Sequence, residues 1–315
     1  MGNFQQELDY LRDKIEAEIL SIPSDDTIPL FYQPIHYINR LSGKKLRPLL
    51  TVLCGLSVGG DLKNLLAPAA AIELLHNFSL VHDDIMDNDE TRRGEPTVHV
   101  KWDIGTAILA GDGLLGLAYR KLLQTPNSTN TLLVSLFTEA MLEICEGQAL
   151  DKTFETQETV TENEYLEMIS KKTATLIKLA CEMGAIVAEA SEKEINDLAQ
   201  LGYNLGMGFQ IQDDLLDILA DEQLLGKKVG SDLAMNKKTI ATIRLSQIPE
   251  LNIQDITSID HYKEYLSDYG IIKDVNDLAE DYFKKADSLL NDLPIKNNYH
   301  QLLKDLADYI HSREK

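Results

Sequence analysis

The sequence predicts an all-α protein folded as a single domain. Apolar residues recur with the 3.6-residue period of an amphipathic helix along most of the chain, and the two-residue alternation of half-buried strands is rare. Turn-forming residues are dense between the periodic segments. No low-complexity segment or linker divides the 315 residues, a length that one large helical domain can reach.

Each predicted helix is a periodic segment bounded by turn or capping residues. In chain order the helices cover residues 4–20, 30–41, 45–57, 62–88, 98–123, 129–151, 162–170, 172–189, 193–220, 235–247, 258–268, 273–291 and 298–313. The main breaks follow turn chemistry, at Pro23 to Pro29, Gly59-Gly60, Arg93-Gly94, Pro126-Asn127-Ser128 and Leu225 to Asp232. Helices 62–88 and 193–220 are unusually long, and each has an apolar body and ends in a cluster of aspartates. Such helices are typical of a bundle with an apolar cavity and a polar mouth.

The charge and hydropathy of the chain exclude several classes of partner. A formal net charge of −21 disfavours nucleic acid and anionic membrane surfaces. The longest apolar stretches are interrupted by polar residues well short of the ~20 residues that cross a bilayer. The N-terminal segment is acidic and amphipathic, unlike a signal or transit peptide. We therefore expect a soluble cytoplasmic protein without membrane insertion.

The three cysteines, Cys54, Cys145 and Cys181, are far apart in apolar helical sequence. An odd number without a CxxC spacing argues against both a disulfide framework and a zinc site. We expect buried, reduced thiols.

Two aspartate clusters of the same form are the main chemical signal, DDIMD at residues 83–87 and DDLLD at residues 213–217. Each places carboxylates at positions i, i+1 and i+4, which lie within about 100° on one face of a helix. Like charges crowded on one face repel unless a cation lies among them, and hard carboxylate oxygens suit Mg²⁺. A single acidic helix face is usually only solvated, but both clusters here lie in apolar sequence. Together they predict a site for a diphosphate bridged by magnesium.

Basic residues that could complete such a site occur in several segments. They are Lys44, Lys45 and Arg47 at a helix start, Arg92 and Arg93 after the first cluster, Lys171 and Lys172 at a helix junction, and Lys227, Lys228, Lys237 and Lys238 after the second cluster. Adjacent arginines can grip diphosphate oxygens, although cations beside a helix end also serve as C-caps. Cations are disfavoured at a helix start, so the first group favours anion binding. Each lysine pair could equally be a solvated charge run.

Two further features leave alternatives open. His76 lies about two helical turns before Asp83 on nearly the same face, yet a lone histidine is more often a structural core group. The helix that leads to the second cluster lacks side chains at three glycines, Gly202, Gly206 and Gly208. Close helix packing and room for a ligand explain these glycines equally well.

In this order, these motifs resemble those of the trans-isoprenyl diphosphate synthases. The matching segments, within roughly residues 40–245, read GKKLRP, ELLHNFSLVHDDIMD, RRG, KKT, GFQIQDDLLD, GKKVGSDL and NKK. The resemblance implies the isoprenoid synthase fold, an all-α bundle of mostly antiparallel helices around a central cavity, usually as a homodimer. It also implies a prenyltransferase that acts on isopentenyl diphosphate and allylic prenyl diphosphates.

The resemblance further implies roles for individual residues. As ligands of about three Mg²⁺ ions per site it implies Asp83, Asp84, Asp87, Asp213 and Asp217. For isopentenyl diphosphate it implies Lys44, Arg47, His76 and Arg93, and for the allylic diphosphate Arg92, Lys172, Thr173, Gln210, Lys227 and Lys237. The catalytic residues it implies are Asp83, Asp84, Asp87, Arg92, Lys172 and Asp213. The chain departs from the family pattern at Ser42-Gly43, where two glycines are frequent, and a one-residue shift would select Lys228 in place of Lys227.

The implied reaction begins with ionisation of the allylic substrate. Metal ions and cations neutralise the leaving diphosphate, and the resulting carbocation meets the double bond of isopentenyl diphosphate held beside it. Dipoles of Lys172, Thr173 and Gln210 stabilise the positive charge, and the departing diphosphate takes up the proton. Water must be excluded because it would quench the cation.

Product length in the family depends on the side chains four and five positions before the first aspartate. Ser79 and Phe78 occupy these positions, and DDIMD has no insertion, as in geranylgeranyl-type synthases. Helical geometry supports this only in part, since Phe78 lies about 7.5 Å along the axis from Asp83 but about 140° around it. We expect geranylgeranyl diphosphate as the product, with farnesyl or longer products as the alternatives.

Two other functions share part of this pattern of motifs. A class I terpene cyclase shares the ionisation step, but its second metal motif normally mixes Asp or Asn with Ser or Thr and Glu, and it has no isopentenyl diphosphate site. A non-catalytic subunit of a heteromeric synthase tends to lose one aspartate cluster. Both clusters are intact here, which favours the synthase.

Overall fold

A computed structural model describes residues 2–24, 27–125, 127–219, 237–249, 251, 256, 258–293 and 297–312. Over these residues the regular structure is helical apart from one antiparallel hairpin, which confirms the predicted all-α class. The helices are α1 (Gly2–Leu20), α2 (Pro29–Arg40), α3 (Leu46–Ser57), α4 (Leu62–Asp87), α5 (Val98–Lys101), α6 (Ile104–Leu122), α7 (Asn127–Phe154), α8 (Glu162–Ile169), α9 (Thr175–Val187), α10 (Glu192–Leu219), α11 (Ile240–Ser246), α12 (Ile259–Asp268), α13 (Ile271–Asp292) and α14 (Asn298–His311). The hairpin consists of β1 (Thr91–Arg92) and β2 (Glu95–Pro96).

The chain divides into two compact units. The first comprises Met1–Met141, Leu176–Ala199 and Leu293–Asp305, and the second comprises Leu142–Thr175, Gln200–Asp292 and Leu306–Lys315. Each unit carries one aspartate cluster, at the end of α4 in the first and near the end of α10 in the second. The single domain expected from the sequence stays a prediction.

Helix α4 is the core helix of the first unit. It packs against α1, α3 and α6, and its start is capped by Asp61, whose side chain accepts a hydrogen bond from the backbone N–H of Lys63. By length and apolar composition α4 could also cross a membrane, but 72% of its apolar window is buried inside the protein, as in a core helix. The packing of α4 thus places the first aspartate cluster at the end of a fixed core element.

The second unit contains α8, most of α10, and α11 to α13. Helix α11 packs against α8, α12 and α13. Thr161 and Glu164 cap the start of α8 reciprocally, each side chain binding the backbone N–H of the other residue. Arg244 of α11 is ion-paired with Glu162 of α8 at 2.7 Å. These contacts fix α8, which leads directly into the predicted Lys172–Thr173 site.

Three predicted helix boundaries were wrong, and the break predicted at Leu225 to Asp232 lies outside the described residues. The helix predicted at 235–247 begins late, at Ile240, directly after its cap Thr239. The other two errors lie at the ends of α5 and α8. The predicted helix 98–123 is two helices, because Asp103 caps a new helix by accepting the backbone N–H of Thr106 at 2.9 Å. The break predicted between 170 and 172 is instead a π-helical turn, Ser170–Ala174, that joins α8 to α9. In both places an apolar pattern gives the helical period but not the local hydrogen bonds that start or widen a helix.

Cys54 and Cys181 are buried, as expected, whereas Cys145 is exposed and contradicts the expectation. The buried thiols of Cys54 and Cys181 are hydrogen-bonded to each other in the first unit. Burial, and then the contact with Cys181, raises the pKa of Cys54 well above its usual value, so this thiol stays protonated.

Candidate active site

The first aspartate cluster forms the last turn of α4. The helix ends where Asn88 adopts a left-handed conformation, with φ of 55°, and donates its backbone N–H to the carbonyl of Asp84. Asp83 and Asp87 are half-buried, whereas Asp84 is only 1% exposed. The three carboxylates are therefore not equivalent, since the second one is enclosed by the protein.

Asp84 forms a buried ion pair with Arg92 of β1. Its Oδ1 accepts a hydrogen bond from Arg92 Nε at 2.6 Å and lies 2.5 Å from Nη2. Burial raises the pKa of the Asp84 carboxyl, although the hydrogen bond and charge of Arg92 oppose the rise. Burial would lower the pKa of Arg92, but the hydrogen bond with Asp84 and the nearby aspartate charges raise it overall. The other oxygen of Asp84, Oδ2, is buried without a hydrogen-bond partner among the described residues, so it can still bind a cation.

Arg92 and Arg93 lie in the hairpin after α4 and do not cap that helix. The hairpin loop is Arg93-Gly94, with φ of 56° and 78°, the two positive values that a type I′ turn requires. A left-handed arginine is uncommon, because its Cβ makes that conformation unfavourable. The turn gives the neighbouring arginines different partners, since Arg92 binds Asp84 and Arg93 Nη1 donates to the carbonyl of Leu41 at 3.4 Å.

Cations from several elements surround His76 of α4. Arg47 Nη1 of α3 lies 3.4 Å from His76 Nε2. The guanidinium of Arg93 packs so closely on Gly43 that a Cβ there would lie 2.9 Å from Arg93 Cζ. Burial lowers the pKa of His76 well below its usual value, and the charges of Arg47, Arg93 and two further cations lower it more. The structure therefore brings together three of the four residues predicted to bind isopentenyl diphosphate, in a region of positive potential.

The two lysines before α3 have different environments. Lys44 is exposed, whereas Lys45 is 5% exposed and its Nζ donates to Glu73 Oε1 at 3.1 Å in a buried ion pair. Lys45 adopts the left-handed conformation, with φ of 51°, at the position that precedes the helix. The charge of Lys45 is therefore neutralised inside the protein, whereas Lys44 lies at the surface.

The second aspartate cluster, in α10, is divided in the same way as the first. Asp213 and Asp217 are half-buried, whereas Asp214 is 9% exposed. Asp214 accepts hydrogen bonds at both oxygens, from the hydroxyl of Tyr165 at 2.7 Å and from Nε2 of Gln210 at 2.6 Å. In each cluster, therefore, the second aspartate is the most buried of the three and binds polar groups of the protein. The side chains of the other two aspartates are more exposed to solvent.

Lys172 and Thr173 lie in the π-helical turn Ser170–Ala174. Two glycines allow neighbouring helices to approach this turn. A Cβ on Gly147 of α7 would lie 2.3 Å from the backbone nitrogen of Lys172, and one on Gly206 of α10 would lie 2.6 Å from the Cα of the last residue in the turn. Gly206 therefore serves close packing, one of the two explanations that the sequence left open, and π-helical turns are frequent at functional sites.

Three of the residues predicted to bind the allylic diphosphate occupy the same part of the second unit. Thr173 Oγ1 donates to Gln210 Oε1 at 2.8 Å, and Lys172 Nζ donates to the buried carboxylate of Asp151 in α7. The sequence did not single out Asp151. Its carboxylate fixes the position of the Lys172 ammonium.

Gln148, one helical turn before Asp151, is a second residue that the sequence analysis missed. It is 6% exposed, and neither Nε2 nor Oε1 has a hydrogen-bond partner among the described residues. Because a buried amide without partners is costly, Gln148 is a candidate ligand-binding group. The spacing of three residues places Gln148 and Asp151 on one helix face, but nothing in the sequence marks that face as functional.

Phe78 and Ser79, the residues predicted to set product length, differ in burial. Phe78 is 8% exposed, and its ring centroid lies 4.7 Å from that of His82. His82 in turn packs on Gly111 of α6, where a Cβ would lie 2.2 Å from its Nε2. Ser79 Oγ donates to the carbonyl of His76 at 2.9 Å. Phe78 is therefore fixed beside the contact between α4 and α6, whereas Ser79 is bound to its own helix.

Two predicted lysines remain. Lys227 lies outside the described residues, and Lys237 is half-buried three residues before α11. Within the described ranges, no three histidine, cysteine or carboxylate side chains are already grouped to hold a metal ion. Any metal bound at the described aspartates would therefore need further ligands from water or substrate.

Comparisons with known proteins find relatives that match along nearly the whole chain. A family model described as "Polyprenyl synthetase" matches residues 28–277. A geranylgeranyl diphosphate synthase of Methanosarcina mazei is 39% identical over 306 residues, which cover 92% of this chain and 93% of the relative. A geranylfarnesyl diphosphate synthase of Natronomonas pharaonis is 36% identical over 90% of this chain and 89% of the relative. The crystal structure of a geranylgeranyl pyrophosphate synthetase from Pyrococcus horikoshii matches with a TM-score of 0.92 at 38% identity and covers 99% of both chains.

Proposed function

Since the chain belongs to the polyprenyl synthetase family, a family of trans-prenyltransferases, we propose that it condenses isopentenyl diphosphate with an allylic prenyl diphosphate. The product is an all-trans prenyl diphosphate, and among the possible lengths we propose geranylgeranyl diphosphate. The fold supports this activity, because solved synthases of the family superpose on nearly the whole chain.

The observation that carries the proposal is the positive potential around His76. The chain has a net charge of −21, yet burial and the charges of cations that include Arg47 and Arg93 hold the pKa of His76 well below its usual value. Arginine side chains can bind the oxygens of a diphosphate bidentately. Lys44, exposed in the loop before α3, adds a further cation for the same anion.

We propose that magnesium binds at the half-buried aspartates, which are Asp83 and Asp87 in the first unit and Asp213 and Asp217 in the second. Their hard carboxylate oxygens suit Mg²⁺, which usually takes one or two carboxylates and completes its shell with water and phosphate oxygens. The unpartnered Oδ2 of Asp84 is one more oxygen that a cation could use. When bound, about three such ions would neutralise the charge that develops on the leaving diphosphate.

The residues of the chain supply orientation and further neutralisation. Two guanidinium nitrogens of Arg92 bind Asp84. The remaining N–H groups of Arg92 can bind the allylic diphosphate. Lys172, whose ammonium donates to Asp151, is proposed to bind an oxygen of the same diphosphate. Lys227 and Lys237 are proposed to bind the same diphosphate. The burial of Thr173, which is 7% exposed, limits access of water to the carbocation.

Isopentenyl diphosphate is held by the cations around His76, so that its double bond meets the carbocation without a bimolecular search. The new carbon–carbon bond leaves positive charge on the isopentenyl portion. Loss of a proton to the departed diphosphate then restores a double bond and completes one elongation.

Product length is proposed from Phe78. Relatives named for geranylgeranyl and for geranylfarnesyl diphosphate both align over about nine-tenths of this chain, so a local feature must distinguish the two products. The buried ring of Phe78 is fixed against His82, and a fixed bulky side chain can stop the growing tail. This supports the shorter of the two products.

A homodimer in the cytoplasm is also proposed. On α6, the apolar side chains of Ile104, Ile108 and Leu109 are 56%, 45% and 54% exposed. This apolar strip of three exposed residues is typical of a protein interface and fits a second copy of this chain. The reduced state of Cys54, Cys145 and Cys181 suits a reducing compartment.

One assay tests the activity. Purified protein is incubated with Mg²⁺, isopentenyl diphosphate and labelled farnesyl diphosphate, and the products are separated by chain length. We expect an elongated diphosphate, and EDTA should abolish its formation. A cyclised hydrocarbon would indicate a terpene cyclase, and the absence of any product would favour a non-catalytic subunit.

The aspartate clusters are tested in the same assay. Asp83→Ala and Asp213→Ala should each abolish elongation, because each removes a proposed magnesium ligand. Asp281→Asn, which alters an exposed carboxylate of α13, is the matched control and should elongate normally. Full elongation by Asp83→Ala would refute the metal assignment.

A further inference from the structure

We propose that Tyr165 and Asp214 are positioning residues that fix the polarity of a hydrogen-bond chain, so that Thr173 presents only lone pairs to the allylic substrate. The proposal rests on the function proposed above. It goes beyond that function by assigning Asp214, the buried aspartate of the second cluster, to the orientation of other side chains and not to metal binding. It also gives Tyr165 a role that the sequence motifs do not suggest.

Four side chains form the chain within the second unit. The hydroxyl of Tyr165 donates to Asp214 Oδ2 at 2.7 Å, and Gln210 Nε2 donates to Asp214 Oδ1 at 2.6 Å. Thr173 Oγ1 then donates to Gln210 Oε1 at 2.8 Å. Tyr165 is fully buried, and Asp214 and Thr173 are 9% and 7% exposed, so water has little access to any of these bonds.

The carboxylate of Asp214 sets the direction of every bond in the chain. Both oxygens of Asp214 accept hydrogen bonds, one of them from Gln210 Nε2, so Gln210 turns its NH₂ group toward Asp214. The Gln210 carbonyl consequently faces Thr173, and a carbonyl also can only accept. Thr173 must therefore give its single hydroxyl proton to Gln210. The orientation of the Gln210 amide therefore follows from its contact with the carboxylate.

This direction decides what Thr173 can do for the substrate. With its proton committed to Gln210, the Thr173 hydroxyl has only lone pairs for any other group, so it cannot donate to a diphosphate oxygen. It can stabilise a neighbouring positive charge through its dipole, an effect that is strong in a buried site. The sequence left Thr173 with two roles, diphosphate binding and cation stabilisation, and the chain favours the second.

Asp214→Asn preserves the shape of the side chain but no longer fixes the direction of the hydrogen bonds in the chain. An asparagine amide can donate to Gln210, which allows Gln210 to rotate and releases the proton of Thr173. Tyr165→Phe keeps the side chain of Asp214 but removes the hydroxyl that donates to its Oδ2, so it should loosen the chain without reversing it. Thr173→Val removes the lone pairs, whereas Thr173→Ser retains them.

The test compares two isosteric analogues of the allylic diphosphate, one with an ammonium nitrogen where the positive charge develops and one with a neutral carbon there. Their dissociation constants are measured by calorimetry with Mg²⁺. The wild-type protein should prefer the charged analogue, and Asp214→Asn and Thr173→Val should each reduce this preference by about tenfold. Tyr165→Phe should reduce it by about threefold, and Thr173→Ser should retain it.

A double mutant separates the chain from the direct electrostatic effect of the Asp214 charge. If Asp214 acts through Thr173, the Asp214→Asn/Thr173→Val protein should be no worse than either single variant, because both act on the same hydroxyl. Additive losses would show a direct charge effect and overturn the proposal. An equal loss of affinity for both analogues in Asp214→Asn and Tyr165→Phe would also overturn it, as would an unchanged preference.

Failure of the proposed function gives a different result. In that case the wild-type protein would neither elongate farnesyl diphosphate nor bind the neutral analogue. If Asp214→Asn does not fold, the Tyr165→Phe variant alone tests the proposed role of the chain, because it removes only one hydroxyl.

Discussion

Arg92 binds a single carboxylate oxygen of Asp84 through two nitrogens, Nε at 2.6 Å and Nη2 at 2.5 Å. Asp84 is 1% exposed, so its charge depends on Arg92 for compensation. Arg92 comes from the hairpin, whereas Asp84 is part of α4, and the pair therefore joins the proposed metal site to the loop that carries two substrate-binding arginines. The pair has a consequence for stability that can be measured.

Arg92→Met should lower the free energy of unfolding by about 3 kcal/mol, because it leaves a buried carboxylate without its partner. Urea denaturation monitored by circular dichroism measures the change. The matched control is Asp281→Asn, which removes an exposed ion pair with Lys284 and should cost less than about 0.5 kcal/mol. Asp84→Asn combined with Arg92→Met should recover part of the loss, and strictly additive losses would contradict the coupling.

His76 predicts a specific dependence of stability on pH. Its pKa in the folded protein lies below the value of about 6.5 expected in the unfolded chain, owing to burial and then to neighbouring cations. Below about pH 6.5 the unfolded chain therefore takes up a proton that the folded protein does not, and stability falls as pH drops toward the folded pKa. The loss from this one group is at most about 1.4 kcal/mol per pH unit.

The contribution of His76 is isolated by comparing variants. Urea denaturation at about pH 7.5 and about pH 5.5 should show a larger loss of stability for the wild-type protein than for His76→Gln. His261→Gln, which alters an exposed histidine of α12, is the control and should behave like the wild type. Equal losses for wild type and His76→Gln would contradict the proposed environment of His76.

Phe78→Ala should lengthen the product. The substitution removes a buried ring beside the contact between α4 and α6, which leaves room for a longer tail. The products formed from farnesyl diphosphate and excess isopentenyl diphosphate are dephosphorylated and separated by chromatography. Phe78→Leu keeps most of the bulk and should retain the wild-type product. If Phe78→Ala makes the same product as the wild type, another residue limits chain length.

Ile108→Asp should dissociate the proposed homodimer. Ile108 is 45% exposed on the apolar strip of α6, and a charge at the centre of an apolar interface is costly. Sedimentation velocity should show a dimer for the wild type and a monomer for the variant. Leu20→Asp, at a 38% exposed leucine of α1, should remain dimeric. A wild-type protein that sediments as a monomer would refute the interface outright.

Much of the fold could be predicted from the sequence because helices are determined locally. The period of the apolar residues and the capping residues placed most helices within a few positions of where they lie. The wrong helix boundaries have local causes that the apolar pattern does not show. Asp103 begins a new helix where the apolar pattern continues, and the π-helical turn at Ser170–Ala174 lies in close contact with Gly147 and Gly206.

The candidate site was predicted in its residue types but not in its internal contacts. Spacing alone treats the two adjacent aspartates of each cluster, and the adjacent Lys44 and Lys45, as nearly equivalent. The structure separates them, since Lys45 is buried with Glu73 while Lys44 is exposed. Gln148 was missed for the same reason, because burial without a partner is visible only after packing.

The sequence by itself determined the helices, the two acidic clusters and the order of the motifs, because each depends on residues that are close along the chain. Only the tertiary structure decided that Asp84 binds Arg92 and that Asp214 binds Tyr165 and Gln210. A helical period fixes which residues share a face, but the groups that meet this face come from distant segments. The free energy of burying a charge depends on those groups, so the role of each aspartate is settled by packing.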